Sequence, residues 1–135
     1  MSDYRFTKRI EVRFRDCDPM GHVNNAVYLT YLEVARFAYW REVCAGRDTA
    51  GDTFILARME CDFRAAAVMG EELEVRLRVD RVGRSSFDIR GDIVRPADGA
   101  LILESRAVMV MYDYAAGTPV PIPDEARRRI EEFER

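Results

Sequence analysis

The sequence predicts an α+β fold in which a five-stranded, mostly antiparallel sheet wraps around one long apolar helix. Two patterns predict it: a long segment without glycine or proline at residues 26–45, and five stretches in which apolar and charged residues alternate. At 135 residues the chain suits one domain, because domains cluster near about 100–150 residues. We therefore expect a single domain over residues 1–135.

The first strand is expected at residues 9–15. There Ile10, Val12 and Phe14 alternate with charged residues, which is the period-two pattern of a strand with one buried face. Residues 16–25 follow with a proline, a glycine and two asparagines. This composition is typical of a loop.

The helix predicted at residues 26–45 is unusually apolar. Its apolar residues cover most of the helical circumference, which requires burial on more than one side. They include Tyr28, Leu29, Tyr31, Leu32, Ala35, Phe37, Ala38, Tyr39, Trp40 and Val43. Other parts of the chain must therefore wrap around this helix.

Four later stretches are expected to supply the wrapping strands. Residues 54–63 and 73–79 alternate apolar with charged side chains and predict strands two and three. A connection at residues 82–85 leads into strand four, which contains the apolar positions of residues 87–93.

The end of the chain combines one more strand with a short helix. A turn at residues 96–99 leads into strand five at residues 101–111. Three prolines within residues 119–123 argue against regular structure there. Asp124 can then cap a short charged helix that reaches about the C-terminus.

Composition excludes several classes of function. Lys and Arg number 21 against 24 Asp and Glu, a net charge of −3, and no basic block suits a nucleic-acid backbone. The N-terminus is charged, and no run approaches the roughly 20 apolar residues of a membrane-spanning helix. Three cysteines, an odd number at irregular spacing, favour a reducing compartment over a disulfide framework. We therefore expect a cytoplasmic protein.

The chemistry of the sequence concentrates in the loop before the helix. Asp16, Asp18 and His22, the only histidine of the chain, lie together there. A helix N-terminus presents unpaired N–H groups and the positive end of its dipole, which suits an oxyanion or a polarised carbonyl. An aspartate beside such a site can attack a carbonyl carbon or activate a water molecule. Acyl transfer is therefore the reaction class that this pattern favours.

Simpler interpretations of the same residues remain open at this point. Asp16, Asp18 and Asn24 can equally be turn and cap residues, which Asx side chains favour, and His22 can be a hydrogen-bonded loop histidine. Cys17 is a poor nucleophile candidate because its two flanking carboxylates disfavour the thiolate. A metal site built from Asp16, Asp18 and His22 matches no zinc pattern, so we expect none.

A longer pattern resembles a known family. The spacing D-x-D-x-x-G-H-V-N-N-x-x-Y-x-x-x-x-E-x-A-R, residues 16–36, is similar to the signature of the 4-hydroxybenzoyl-CoA thioesterase-like branch of the hot-dog superfamily. Its H-V-N-N element also resembles the helix start of plant acyl-ACP thioesterases and of long-chain acyl-CoA thioesterases. The segment V-G-R-S-S-F at residues 82–87 and the segment P-I-P at residues 121–123 extend the resemblance over the chain.

The resemblance implies a hot-dog acyl-CoA thioesterase, which hydrolyses a thioester of CoA or of acyl-carrier protein to the free acid and the thiol without a cofactor. The catalytic aspartate of the family falls on Asp18, and the backbone amide that polarises the carbonyl falls near Asn25, with His22 in the same catalytic loop. Glu33 lies where some relatives place their catalytic carboxylate. Since Asp18 already fills that role, we expect Glu33 to be structural.

The resemblance also implies substrate contacts and an assembly. Arg84, Ser85 and Ser86 match positions that hold the pantetheine or nucleotide of CoA, and Asn24 and Tyr28 are expected to bind the substrate. His22 and Asn24 depart from the apolar or aromatic residues of members specific for 4-hydroxybenzoyl groups, which argues against an aromatic substrate. Family members act as dimers with the site at the subunit interface, so we expect a homodimer or homotetramer.

Two other functions fit a hot-dog groove. A hydratase or dehydratase would need a histidine and an acid that reach across the site, yet His22 is followed by Val-Asn-Asn rather than by a dehydratase motif. A non-catalytic acyl-CoA binding protein would use the same groove without hydrolysis. Release of free thiol from acyl-CoA separates both alternatives from a thioesterase.

Overall fold

The computed structural model describes residues 3–135. Its elements in chain order are β1 (Phe6–Glu11), a 3₁₀ turn (Phe14–Asp16), α1 (Asn25–Val43), β2 (Phe54–Phe63), β3 (Glu72–Val82), β4 (Ser86–Arg95), β5 (Ala100–Asp113), β6 (Thr118–Pro119) and α2 (Asp124–Glu134). The five long strands pair antiparallel in the order β1-β3-β4-β5-β2, and the short β6 pairs with β5. The predicted α+β fold is confirmed, with a sixth strand that the sequence did not predict.

Most element bounds match the prediction, but the first strand does not. β1 spans Phe6–Glu11. The strand predicted at residues 9–15 is therefore wrong beyond Glu11. Phe14 belongs to the 3₁₀ turn and is 82% exposed instead of buried. The chain turns here because Arg13 and Asp16 form reciprocal capping contacts, which alternation of apolar residues cannot reveal.

The end of the chain also differs from the prediction in two details. Pro119 lies in β6, where it pairs with Tyr112 of β5; a proline is tolerated there because the strand is short and at an edge. Asp124 is the first residue of α2 rather than its cap, and Pro123 occupies the cap position without a side-chain hydrogen bond. The charge of Asp124 still favours the helix N-terminus through the helix dipole.

One face of α1 packs on the sheet. Its buried residues form a single stripe of Tyr28, Tyr31, Leu32, Ala35, Tyr39 and Val43. Gly91 of β4 makes room for this contact, because a Cβ there would lie 2.9 Å from Leu77 and 3.1 Å from Leu32. A side chain at this position would push the helix away from the strand.

The opposite flank of α1 is open in the single chain. Phe37 is 67% exposed and Val34 is also exposed, so the expectation of burial on more than one side holds only in part. The helix runs antiparallel to β2. Its N-terminal end lies near residues that follow β2, where Val23 N–H donates to the Ala67 carbonyl at 2.9 Å. Its C-terminal end meets the start of β2, where the rings of Trp40 and Phe54 lie 4.6 Å apart.

Asp16 fixes the loop that precedes α1. Its side chain is 2% exposed, accepts hydrogen bonds from the Arg13 side chain at 2.9 Å and from the Tyr31 hydroxyl at 2.7 Å, and its carbonyl accepts from Asn24 N–H at 2.9 Å. Burial alone would raise the pKa of Asp16, but the hydrogen bonds from Arg13 and Tyr31 outweigh it and lower that pKa to about 2. Asp16 is thus a structural carboxylate.

We expect this carboxylate to contribute stability that depends on pH. Because the folded pKa of about 2 lies below the ordinary value of 3.8, the contribution is complete above about pH 4 and is lost as the pH falls through about 2. Asp16→Ala, which leaves the Tyr31 hydroxyl and Arg13 N–H unpaired, should lower the free energy of unfolding at pH 7 by about 1–3 kcal/mol. Urea unfolding at several pH values measures both effects. Equal pH dependence in the variant and the wild type between pH 4 and 2 would contradict this role.

Candidate active site

The loop at the start of α1 folds as a tight turn around Asp18. Gly21 N–H donates to the Asp18 carbonyl at 2.9 Å, and Asp18 N–H donates to the His22 carbonyl at 2.9 Å. The sequence suits this turn because aspartate favours its first position, proline its second, and a glycine is needed at its end, where φ of Gly21 is +85°. The turn therefore fixes the backbone of Asp18 locally.

One oxygen of the Asp18 carboxylate is engaged and the other is open. Oδ1 accepts from Met20 N–H at 2.9 Å, which is the Asx turn that the simpler interpretation of Asp18 expected. Within residues 3–135, Oδ2 has no hydrogen-bond partner, and the side chain is partly exposed. The Asp18 carboxylate is thus held in one orientation by Met20 N–H and keeps a free oxygen, Oδ2, that can accept a proton or attack a carbonyl carbon.

The start of α1 leaves one amide available close to this loop. The Asn24 side chain caps the helix by accepting from Ala26 N–H at 2.9 Å, and its carbonyl accepts from Val27 N–H. Within the described part of the chain, Asn25 N–H has no acceptor. The unpaired Asn25 N–H therefore lies at the positive end of the helix, where a polarised carbonyl is favoured.

His22 and Tyr28 have different surroundings. The His22 side chain is exposed and makes no hydrogen bond within residues 3–135, while its backbone bridges to Val68. Tyr28 is buried, and its hydroxyl accepts from Ala67 N–H at 3.2 Å. Asn24 and Tyr28 thus have clear structural roles, and their contact with a substrate stays a prediction.

The three cysteines are free thiols. Cys17 lies beside Asp18 in sequence, and its Sγ contacts the Arg13 carbonyl at 3.8 Å. Burial raises the pKa of the Cys44 and Cys61 thiols. Among the described residues, no group of three or more His, Cys, Asp or Glu side chains is placed to hold a metal ion.

Arg84, Ser85 and Ser86 lie at the other end of the sheet from Asp18. Arg84 and Ser85 belong to the β3–β4 connection, and Ser86 begins β4. The Arg84 carbonyl accepts from Ile122 N–H, and the Ser85 carbonyl accepts from Met111 N–H. Asp18 instead lies near the segment that precedes β3, since Asp18 N–H bonds to the His22 carbonyl and His22 pairs with Val68. A single chain therefore does not bring the two predicted parts of the site together.

A cavity of about 440 Å³ opens between α1 and β2. Its wall is aromatic: Trp40 stacks on Phe87 at 5.9 Å with an interplanar angle of 9°, and Phe54 meets both rings edge to face. Apolar Leu56, Ile89 and Met109 complete the wall, and Glu33, Arg36, Arg41 and Asp52 supply charge. Sequence analysis missed this cavity because its walls come from distant segments, although the clustered aromatic residues of the helix are a partial signal.

Within residues 3–135, no helix is both long and apolar enough to cross a membrane.

Comparisons with known proteins identify the family of this chain. Residues 12–130 match the family model of the thioesterase-like superfamily. A crystal structure of a thioesterase from Thermus thermophilus, complexed with coenzyme A and Zn, is 36% identical, superimposes with a TM-score of 0.86, and covers 99% of this chain and 97% of that chain.

Two curated proteins are more distant relatives. The long-chain acyl-CoA thioesterase FadM of Escherichia coli (strain K12) is 22% identical over 93% of this chain and 96% of its own length. The chloroplastic acyl-acyl carrier protein thioesterase ATL3 of Arabidopsis thaliana is 24% identical over 92% of this chain and 66% of its own length. The chain therefore belongs to the thioesterase-like superfamily, a family of thioester hydrolases with the hot-dog fold.

Proposed function

We propose that the protein hydrolyses acyl-CoA thioesters with Asp18 as its catalytic carboxylate. The observation that carries the proposal is the junction between loop and helix, where Asp18 keeps one free carboxylate oxygen and Asn25 keeps an unpaired N–H. A carbonyl held by that N–H is polarised for attack. The relatives named above act on acyl-CoA or acyl-carrier-protein thioesters, and the same site suits either thiol carrier.

The reaction needs a nucleophile and a charge stabiliser. As a general base, Asp18 takes a proton from water while the water oxygen bonds to the carbonyl carbon. The C–S bond then breaks, and the thiolate leaves with the proton as the free thiol. As a nucleophile, Asp18 would instead form a mixed anhydride that water then hydrolyses. In both routes Asn25 N–H stabilises the negative charge that develops on the carbonyl oxygen.

The site becomes complete when two chains pair through β2. β2 is the terminal strand of the sheet and bonds only to β5, so one edge of this long strand has unpaired backbone groups. Exposed apolar residues also lie on β2 itself and on α1. They are Leu56 and Phe63 on β2, and Val34 and Phe37 on α1. Long unpaired edges and contiguous apolar surface are features that association covers. A two-fold homodimer, alone or paired into a tetramer, is the assembly that we propose.

This pairing also explains why the predicted site residues lie apart in one chain. In an antiparallel β2–β2 pair, the end of β2 lies beside the start of the partner's β2. The Asp18 loop, which is near the end of β2, then faces the cavity at Phe54 and the Arg84 turn of the partner. Each active site therefore combines Asp18 and Asn25 of one chain with the acyl cavity and the CoA-binding turn, Arg84 to Ser86, of the other.

We also propose a cytoplasmic location, because three free thiols suit a reducing compartment.

Asp18→Asn should lower thioesterase turnover by at least about a hundredfold, because the amide neither accepts a proton well nor attacks a carbonyl. Its remaining oxygen still accepts from Met20 N–H, so the turn should be kept. Asp113→Asn is the matched control, since Asp113 accepts from Ala115 N–H at the same 2.9 Å in another turn. Thiol release from a panel of acyl-CoAs is the measurement. Normal turnover by folded Asp18→Asn would remove Asp18 from the mechanism, and loss in Cys17→Ser instead would restore the thiol interpretation.

Mixing two inactive variants tests whether the site is shared between chains. Asp18→Asn removes the carboxylate, and Leu56→Trp fills the cavity. In a mixed dimer, one site carries both defects and the other carries neither, so activity should return to about a quarter of the wild type after random reassortment. Turnover and light scattering are measured on the two variants separately and after mixing. A dimer without restored activity would place each site within one chain.

A further inference from the structure

Arg36 has an unusual position on the open flank of α1. It lines the cavity and is half-buried, yet within residues 3–135 it makes no hydrogen bond and no ion pair. Burial lowers the pKa of Arg36, and this effect outweighs the charges of Glu33 and Cys61, which raise it. A guanidinium in this position has lost water without gaining a bonded acceptor.

The other charged groups of the cavity are occupied or open to water. Asp52 accepts from the Trp40 indole N–H at 3.0 Å and pairs with Arg47. Glu33 and Arg41 are exposed at the rim. Arg36 is therefore the charged side chain of the cavity wall that is available for a ligand.

The rest of the cavity suits an apolar chain. Its volume of about 440 Å³ lies in the range of roughly 300–1,000 Å³ that is usual for small-molecule sites. The Trp40, Phe54 and Phe87 rings offer flat apolar surfaces to methylene groups. A planar guanidinium binds a carboxylate through two parallel N–H donors. An apolar wall with one such cation matches an apolar ligand that carries one acidic group.

We infer that Arg36 determines specificity by binding a carboxylate at the end of the acyl group remote from the thioester. This inference rests on the proposed function, in which the cavity holds the acyl group of a substrate attacked by the partner's Asp18. The substrate class is then the CoA monothioester of a dicarboxylic acid, with its methylene groups against the aromatic wall and its free carboxylate on Arg36.

The competing partner for the Arg36 guanidinium is Glu33 of the partner subunit in the proposed dimer. It would pair with Arg36 across the two-fold interface, because a residue pair at such an interface occurs twice. The structure favours the substrate, since Arg36 is half-buried in the wall of a cavity of ligand size, whereas Glu33 lines the same cavity but is exposed. The experiment separates the two by oligomeric state.

The first measurement compares kcat/KM for matched CoA thioesters. For the wild type, ω-carboxyacyl-CoA should exceed fatty acyl-CoA of equal chain length by about tenfold or more at one length of the series, as expected for charge-assisted hydrogen bonds. In Arg36→Met this ratio should fall to about one or below, and in Arg36→Lys it should fall in part. Arg128→Met, which removes an exposed arginine of α2 outside the cavity, is the matched control and should keep the wild-type ratio.

Binding tests the inference independently of hydrolysis. Non-hydrolysable thioether analogues of CoA with and without the terminal carboxylate are compared by calorimetry on the wild type. If the wild type binds the carboxylate analogue more tightly and Arg36→Met loses this preference, the inference is supported even when no thioester is hydrolysed. Absence of hydrolysis would refute only the proposed function. Equal binding of both analogues by the wild type overturns it, whether or not Arg36→Met folds. A dimeric wild type that becomes monomeric on Arg36→Met assigns the guanidinium to Glu33 of the partner subunit and also overturns it.

Discussion

The placement of α1 on one side of the sheet determines where the protein can do chemistry. A single stripe from Tyr28 to Val43 packs on the strands, and Gly91 allows Leu32 to approach β4 closely. The helix consequently covers part of the sheet and leaves a gap beside β2. The same packing directs the N-terminus of the helix toward the loop of Asp18, so the cavity and the position of the unpaired Asn25 N–H both depend on this one contact.

The two aspartates of the loop differ because their environments differ. Asp16 is buried, receives hydrogen bonds from Arg13 and Tyr31, and has a pKa lowered to about 2. Its oxygens are fully engaged in holding the loop. Asp18, two residues later, is held by one bond from Met20 N–H and keeps an oxygen toward solvent. One carboxylate thus makes the loop rigid, and in the proposed mechanism that rigidity positions the other for reaction.

How much the sequence could predict follows from the range of the interactions involved. The turn at Asp18 and the cap at Asn24 depend on residues within a few positions, so residue type and spacing were sufficient to predict them. The strands at residues 54–63 and 73–79 were equally visible in their alternation. The exposure of Phe14 was not visible in the sequence, because a capping contact between Arg13 and Asp16 ends the strand while the alternation of apolar residues continues. The cavity could not be predicted from the sequence either, since it depends on the packing of Trp40, Phe54 and Phe87, which belong to three different elements.

The open flank of α1 connects assembly with substrate choice. In a single chain, α1 carries apolar side chains that the sheet does not cover, such as the exposed Val34 and Phe37. These residues are explained only by contact with another molecule. A second chain that pairs at β2 would cover the outer rim of this flank and leave the inner cavity closed to bulk water. Exclusion of water makes an unpaired guanidinium more costly and its bond to an acid stronger. The proposed dimer would therefore also increase the proposed selectivity of Arg36 for an acid, because the same contact between chains excludes water.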